Sequence, residues 1–289
     1  MTDSIAVLEV GGTHVTAAWV DRASETVTAV HRRGLAADGS AEELLAGLAE
    51  AAATLDAPAG TRWGMAMPGP FDYQRGIAHY AGVGKFEGLT GVDVRAALDS
   101  RLQPASIHFV NDASAFLIGE WLVGTALGAD RCAAVTLGTG VGSAFLDRGQ
   151  VVESGPDVPP DGEVHLLEHD GRPLEDWVSR RAIRRSFADR TGRPDDTDVK
   201  EIAALARAGN EAALVAFNGA FSILGEVLAP WLERFGVAQL VIGGSIAGAW
   251  DLIEAPLVNG LRARSDYRFS IGLAADPERS PLLGAAHIA

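Results

Sequence analysis

Two stretches of this 289-residue chain repeat one design, and the repeat limits the fold more than any other feature. Val10-Gly11-Gly12-Thr13 leads on to Ala18-Trp19-Val20-Asp21, and Leu137-Gly138-Thr139-Gly140 leads on to Ala144-Phe145-Leu146-Asp147. Each reads as a strand, a Gly/Thr turn and a second strand ending in an aromatic, an aliphatic and an aspartate. Two copies of one hairpin imply two lobes of related design, each offering a glycine turn to a shared cleft. The plainer alternative is that β-hairpins commonly turn on glycine. The length accommodates two domains.

Around the hairpins, strand and helix signals alternate. Strands are expected at 5–10, 15–20, 63–67, 107–110 and 239–242. Helices are expected at 41–55, 92–102, 113–123, 174–190, 199–208, 212–228 and 282–289, with another after Gly243-Gly244-Ser245. Pro58-Ala59-Gly60 closes the first helix, and Pro68-Gly69-Pro70 breaks the third strand. Residues 154–172, rich in Pro, Gly and Asp, form a long loop, and long loops in compact domains tend to be functional. The mixed order indicates an α/β protein.

Composition narrows the partners. Hydrophobic residues make up 47% and charged residues 21%, as in ordinary globular proteins. A net charge of −14 repels a phosphate backbone and an anionic membrane surface, so no nucleic acid or membrane partner is expected. It permits a nucleotide, which backbone N–H groups and a bridging cation can hold. Met1-Thr2-Asp3-Ser4 lacks a basic leader and runs into a strand, so no signal peptide is read. The apolar stretch 212–232 carries Asn218, Gly219, Glu226 and Pro230 and reads as a buried helix. Cys132 is the only cysteine, which excludes an intrachain disulfide and any multi-cysteine metal site, and suits a reducing cytoplasm.

The turns carry the chemistry. Gly11-Gly12-Thr13 and Gly138-Thr139-Gly140 can each approach a ligand closely and donate backbone N–H and Thr hydroxyl groups to phosphate oxygens. Gly243-Gly244-Ser245, after a buried strand, makes a third such turn suited to the nucleoside end of ATP, or simply a strand-to-helix turn. No Walker A sequence is present. Asn111-Asp112 stands where a strand ends and a helix begins. There it can cap the helix, and it can also orient a sugar through Asn111 and accept a hydroxyl proton on Asp112. His165-Leu166-Leu167-Glu168-His169 matches an H-x-x-E-H metalloprotease pattern. That chemistry needs a firm helix, and Pro159-Pro160-Asp161-Gly162 and Asp170-Gly171-Arg172-Pro173 leave room for little more than a turn.

Taken in order, the motifs resemble the ROK family (repressors, open reading frames and kinases) over nearly the whole chain. Glu9-Val10-Gly11-Gly12-Thr13 resembles the family's D-x-G-G-T, and the stretch from Gly64 through Pro68-Gly69 and Asp72 to Gly76 resembles its G-x-x-x-P-G-x-x-D-x-x-x-G. Asn111-Asp112-Ala113 with Gly119-Glu120 resembles N-D-A…G-E, and Thr136 to Gly142 the second phosphate loop. Val241 to Ser245 resembles the adenosine-side turn, and Leu283-Gly284-Ala285-Ala286 the helix that returns to the first lobe. The resemblance implies a two-lobed actin/hexokinase-like fold with ribonuclease H-like lobes, Mg·ATP on one side of the cleft and a hexose on the other. It implies Asp112 as catalytic base, Asn111, Asp112, Glu163, His165 and Glu175 around the sugar, and Glu9 near Mg²⁺. It also implies a homodimer.

The chain departs from the family pattern at several points. Glu9 stands in place of Asp, His14 in place of Lys, and Phe86 in place of Trp, without the Asn normally before it. Gly162-Glu163-Val164-His165 is one residue shorter than G-E-x-G-H, and the three zinc cysteines are missing, so no structural zinc is expected. The lobes are expected to comprise 1–115 with 277–289, and 116–276. The expected activity is ATP-dependent phosphorylation of a hexose, at its 6-OH, in the cytoplasm. Two other readings are a sugar-sensing regulator, for which the stretch before Glu9 leaves no helix-turn-helix, and a non-catalytic actin-like nucleotide-binding protein.

Overall fold

A computed structural model describes residues 4–289; the reading of Met1-Thr2-Asp3 lies outside them. The chain divides into two compact units, Met1–Gly124 with Asp276–Ala289, and Thr125–Ala275. The boundary expected at 115 would have cut a helix in its second turn. The units part at Gly124, where that helix ends.

In the first unit, β1 (Ser4–Val10), β2 (His14–Asp21) and β3 (Thr26–Gly34) form an antiparallel meander. After α1 (Ala41–Ala53), β4 (Arg62–Met67) pairs parallel with β1. A short hairpin, β5 (Phe71–Asp72) and β6 (Ile77–Ala78), and α2 (Val94–Leu102) follow. Then β7 (Ser106–Asn111) pairs parallel with β4 and runs into α3 (Asp112–Val123). The sheet order is β3-β2-β1-β4-β7. Ala6, Leu8 and Val10 join Leu44, Leu45 and Leu48 of α1 in one apolar cluster. Ile5 and Val7, on the opposite face by strand alternation, are equally buried.

The second unit repeats the plan. Its meander is β8 (Arg131–Leu137), β9 (Val141–Asp147) and β10 (Gln150–Val151). The loop region holds a small hairpin, β11 (Glu168–His169) and β12 (Arg172–Pro173). Helices α4 (Glu175–Val178), α5 (Arg180–Thr191), α6 (Val199–Arg207) and α7 (Glu211–Phe235) come next. Then β13 (Gln239–Gly243), α8 (Trp250–Arg264) and β14 (Ser270–Leu273) complete a sheet of order β10-β9-β8-β13-β14. In both sheets the strands, counted along the chain, lie in the order third, second, first, fourth, fifth, with matching senses. The echo read from two hairpins extends to two whole sheets.

The last helix, α9 (Ser280–His287), belongs to the first unit and packs on α3, β1 and β4. The two helices meet through glycine: a Cβ on Gly119 would overlap the backbone of Ser280, and one on Gly284 the carbonyl of Ala115. Beside this contact Ser280 Oγ donates to the buried Glu120 at 2.6 Å. Glu120, part of the family-like G-E pair, thus ties the first unit's two ends together.

Several elements differ from expectation. The helix expected at 174–190 is two helices, because Ser179 is extended and its side chain caps α5 by accepting from Ala182 N–H at 3.3 Å. The helix expected to end at Leu228 runs on through Pro230 to Phe235, since Leu232 and Phe235 extend its buried face and outweigh the local loss of one hydrogen bond. Among the described residues, α7 alone is long and apolar enough to cross a membrane, yet half of its apolar window is buried in its own unit. β3, β10 and β14 had no strand signal; β3 carries the exposed His31-Arg32-Arg33, and β3, β10 and β14 are edge strands.

Candidate active site

The turn Gly11-Gly12-Thr13 joins β1 to β2, and its geometry leaves donors over. Gly11 N–H donates to the His14 carbonyl at 2.8 Å, whereas the N–H groups of Gly12 and Thr13 meet no acceptor among the described residues. Glu9, next to the end of β1, faces Thr16 in the ladder. Burial raises its carboxyl above the ordinary carboxylate range; a hydrogen bond from Thr16 works the other way, and the charge of Asp112 adds to the rise. His14 Nε2 lies 3.8 Å from Glu9, and its Nδ1 accepts from Arg32 at 3.2 Å. Lys85, half-buried, lies across the turn: a Cβ on Gly12 would sit 2.5 Å from its Nζ.

In the same unit, β7 delivers Asn111 and Asp112 to the head of α3. Asn111 is the N-cap, accepting from Ala113 N–H at 2.9 Å and Ser114 N–H at 3.2 Å. Its amide donates to Tyr73 Oη at 3.0 Å, and that hydroxyl lies 3.3 Å from the Met67 carbonyl at the end of β4. Asp112 accepts from its neighbour's N–H at 2.8 Å. Although the residue as a whole is partly exposed, burial of its carboxyl pushes the pKa up to about 6, against the backbone hydrogen bonds that favour the ionised form. Tyr80 is shifted upward as well, by burial and by the charge of Asp112; its hydroxyl donates to the Pro68 carbonyl at 2.8 Å.

The second unit brings its two expected nucleotide turns together. Gly138 N–H donates to the Gly140 carbonyl at 3.0 Å, and Thr139 and Gly140 N–H groups have no acceptor among the described residues. Gly244 adopts φ +84°, and a Cβ there would overlap the backbone of Leu137, so only glycine permits this approach. A Cβ on Gly138 would lie 3.8 Å from Ser245 Oγ. Arg180 joins the two turns: its N–H donates to the Gly138 carbonyl at 3.1 Å and its guanidinium to Ser245 Oγ at 3.3 Å, with Asp198 3.6 Å away.

Of the residues expected around the sugar, Glu163 and His165 pair at 3.7 Å. Burial raises the Glu163 carboxyl, with His165 lowering it and Asp161 raising it. Both sit on a loop fastened to β9, where Ser143 Oγ donates to the Gly162 carbonyl at 2.6 Å and accepts from Val164 N–H at 3.0 Å. The one-residue shortening still leaves both side chains together. Glu175, first in α4, stands against the second turn, its carboxylate 3.3 Å from where a Cβ of Gly140 would be. The H-x-x-E-H stretch is a single turn of 3₁₀ helix followed by β11, so its histidines share no helix face.

The loop lacking cysteines is ordered by other means. Trp177 Nε1 donates to the His169 carbonyl at 3.0 Å, the Arg172 guanidinium lies 3.7 Å over its ring, and His169 meets the ring edge-on. Val158, Val164 and Leu174 are buried in the unit's core. Among the described residues no group of three His, Cys, Asp or Glu is placed to hold a metal ion.

Three residues here carried no distinct sequence signal, Tyr73, Arg180 and Trp177, and each acquires its role only through tertiary contacts. Lys85 had one available signal, being one of only two lysines in the chain.

The chain is 25% identical to the glucokinase of Thermotoga maritima over 86% of its own length and 84% of that protein's. Among solved structures, the ROK hexokinase of Thermus thermophilus is 24% identical with a TM-score of 0.80, covering 99% of this chain and 97% of that one. A ROK glucokinase from Streptomyces griseus, solved with glucose and AMPPNP, is 21% identical with a TM-score of 0.78, covering 99% of both chains. These likenesses give the fold as the two-lobed actin/hexokinase type. The ROK family profile matches residues 5–289, and on a match of that extent this chain belongs to the ROK family.

Proposed function

We propose that this chain transfers the γ-phosphoryl group of ATP to a hydroxyl of a hexose, with Asp112 as the base. The observation that carries the reading is Asp112 itself: a carboxyl at a strand-to-helix junction, beside a sugar-orienting amide, with burial raising its pKa to about 6. A base so tuned is still ionised at neutral pH, yet takes up a proton more readily than an ordinary carboxylate. The sugar hydroxyl would give its proton to Asp112 as its oxygen attacks the γ-phosphorus and ADP leaves. Asn111 orients the sugar, and Glu163, His165 and Glu175 accept or donate hydrogen bonds to its other hydroxyls. The 6-OH is the expected acceptor, glucose or a related sugar such as an amino sugar the expected hexose.

The turns Gly11-Gly12-Thr13 and Gly138-Thr139-Gly140 supply unpaired backbone donors of the kind that cradle phosphates, and Gly243-Gly244-Ser245 suits the nucleoside end. Glu9 fits a role in holding Mg²⁺, since a cation beside it would relieve both its burial and the charge of Asp112. Mg²⁺ needs only one or two protein carboxylates when phosphates complete its shell, and when bound it neutralises charge on the transferring phosphoryl group. The soluble partner is a small hexose, with no nucleic acid or membrane; we further propose a cytoplasmic homodimer.

The similarity of 86% of the chain to a glucokinase supports the kinase reading. A coupled assay with Mg·ATP and a panel of glucose, mannose, fructose and amino hexoses tests it. ADP release that depends on one sugar is expected, and none with any hexose would overturn it.

A further inference from the structure

Lys85 occupies a place that no reading of the turn foresees. It belongs to the exposed loop Gly82-Val83-Gly84-Lys85, which would leave a flexible ammonium free to wander. The residue after it prevents this. Phe86 is buried, 3% exposed, with its ring 5.4 Å from that of Tyr80 and its N–H donating to the Ala37 carbonyl at 2.6 Å. Phe86 holds a left-handed backbone at φ +57°, and Gly84 N–H is tied to Glu87 at 2.9 Å. The anchored loop turns the Lys85 side chain over Gly12, its Nζ 2.5 Å from where a Cβ of Gly12 would be.

The ammonium so placed has no ion pair and no hydrogen bond among the described residues, in a chain of net charge −14. The turn beside it carries the N–H groups of Gly12 and Thr13, also without acceptors among the described residues. A cation and two amide donors, none with an acceptor among the described residues, therefore meet at one turn. Donors repel one another unless an anion sits among them, and a lysine head group beside backbone N–H groups is a known way to hold phosphate oxygens. His14, which follows the turn directly, is engaged elsewhere: its ring nitrogens face Arg32 and Glu9.

We propose that Lys85 is the phosphate-clamping cation of the Gly11-Gly12-Thr13 turn, taking a terminal phosphoryl group of a triphosphate from the loop side. This rests on the kinase reading for its substrate, but the anion site stands on geometry alone. A phosphoryl group there would accept from Lys85 Nζ and from the two backbone donors, and its charge would be matched without drawing on His14.

The two lysines allow a direct test. Lys85 is half-buried at the turn and Lys200 is exposed on α6, so each chain carries its own control. Inorganic tripolyphosphate or AMPPNP should slow amine acetylation of Lys85 several-fold, read by peptide mass spectrometry, and leave Lys200 unchanged. In calorimetry without sugar, Lys85→Met should weaken tripolyphosphate binding roughly 10- to 100-fold, the size expected for losing a charged hydrogen bond, while Lys85→Arg keeps most of it. Lys85→Met should also leave hexose affinity unchanged. Equal acetylation with and without the anion, or a Lys85→Met protein that binds tripolyphosphate as the parent does, overturns the proposal. If the parent phosphorylates no hexose yet shows Lys85-dependent anion binding, the kinase reading fails and the anion site remains.

Discussion

At the residue scale, the role proposed for Asp112 sets catalysis against stability. Its carboxyl titrates near 6 in the folded chain against an ordinary value near 3.8, so the folded state holds the proton more tightly than the unfolded state. Stability therefore falls as pH rises from about 4 to about 6, and stays lower above that. Asp112→Asn keeps an acceptor for Ala113 N–H, leaves the Asn111 cap in place and removes the buried charge. It should raise the thermal midpoint at pH 7.5 and have little effect near pH 4. A shift of about two units corresponds to roughly 2–3 kcal/mol, an upper figure for the gain. The same substitution should lower turnover roughly 10²–10⁴-fold with sugar binding retained. The parent's kcat/KM for the hexose should drop about tenfold per pH unit below an apparent pKa near 6. A variant that is both active and no more stable would remove Asp112 from the role of base.

Glu163 belongs to the same scale. It pairs with His165 on a fastened loop, and in its proposed role of accepting from sugar hydroxyls, Glu163→Ala should raise the hexose KM about 10- to 100-fold with the ATP KM nearly unchanged. The resemblance places Glu175 with the sugar, and a carboxylate beside a triphosphate would be repelled. Glu175 stands against Gly140 in the second Gly/Thr turn, which makes it the sharper test of that reasoning. Glu175→Ala should likewise act on the hexose KM. Steady-state kinetics with each substrate varied decides, and a change in the ATP KM for either variant would reassign that residue.

At the element scale, one helix carries two opposite glycines. Gly219 is exposed in the middle of α7 with open space around it, so Gly219→Ala should stabilise the protein by about 0.5–1 kcal/mol through helix propensity. Gly225, two turns on, faces α8, and a Cβ there would overlap the Leu257 carbonyl. Gly225→Ala should cost about 1–3 kcal/mol. Thermal melts of the two variants, moving in opposite directions, check the packing of α7 on α8. The loop 154–172 is the other element with a definite expectation. Its contacts through Ser143, Trp177 and Arg172 supply order that cysteines would otherwise provide. Elemental analysis should find no stoichiometric zinc, and a zinc-selective chelator should leave the fold intact while Mg²⁺ remains necessary for turnover. One tightly bound zinc per chain, lost only on unfolding, would contradict this.

At the scale of the whole molecule, the chain ends in the unit where it began. Removing Asp276–Ala289 would strip α9 from α3, exposing faces that Leu282 and Leu283 cover and leaving the buried Glu120 without Ser280. Each leucine contributes about 1.5–3 kcal/mol of burial, so the truncated protein should lose hydrogen-exchange protection throughout the first unit while β8, β9 and α7 stay protected. Equal protection in both units would show that α9 is dispensable. The repeated hairpins, the Gly/Thr turns and the Asn111-Asp112 junction were legible in the sequence, because each rests on local rules of chain direction or turn chemistry. Edge strands such as β3 were not, since exposed polar strands form only where a neighbour offers a ladder. The break at Ser179 and the passage of α7 through Pro230 likewise turn on a cap and on buried contacts that a linear pattern does not weigh. The pairing of Arg180 with two turns, the anchoring of Lys85 through Phe86 and the position of Glu175 were decided by tertiary structure alone, because each joins residues whose separation in sequence carries no signal of their contact in space.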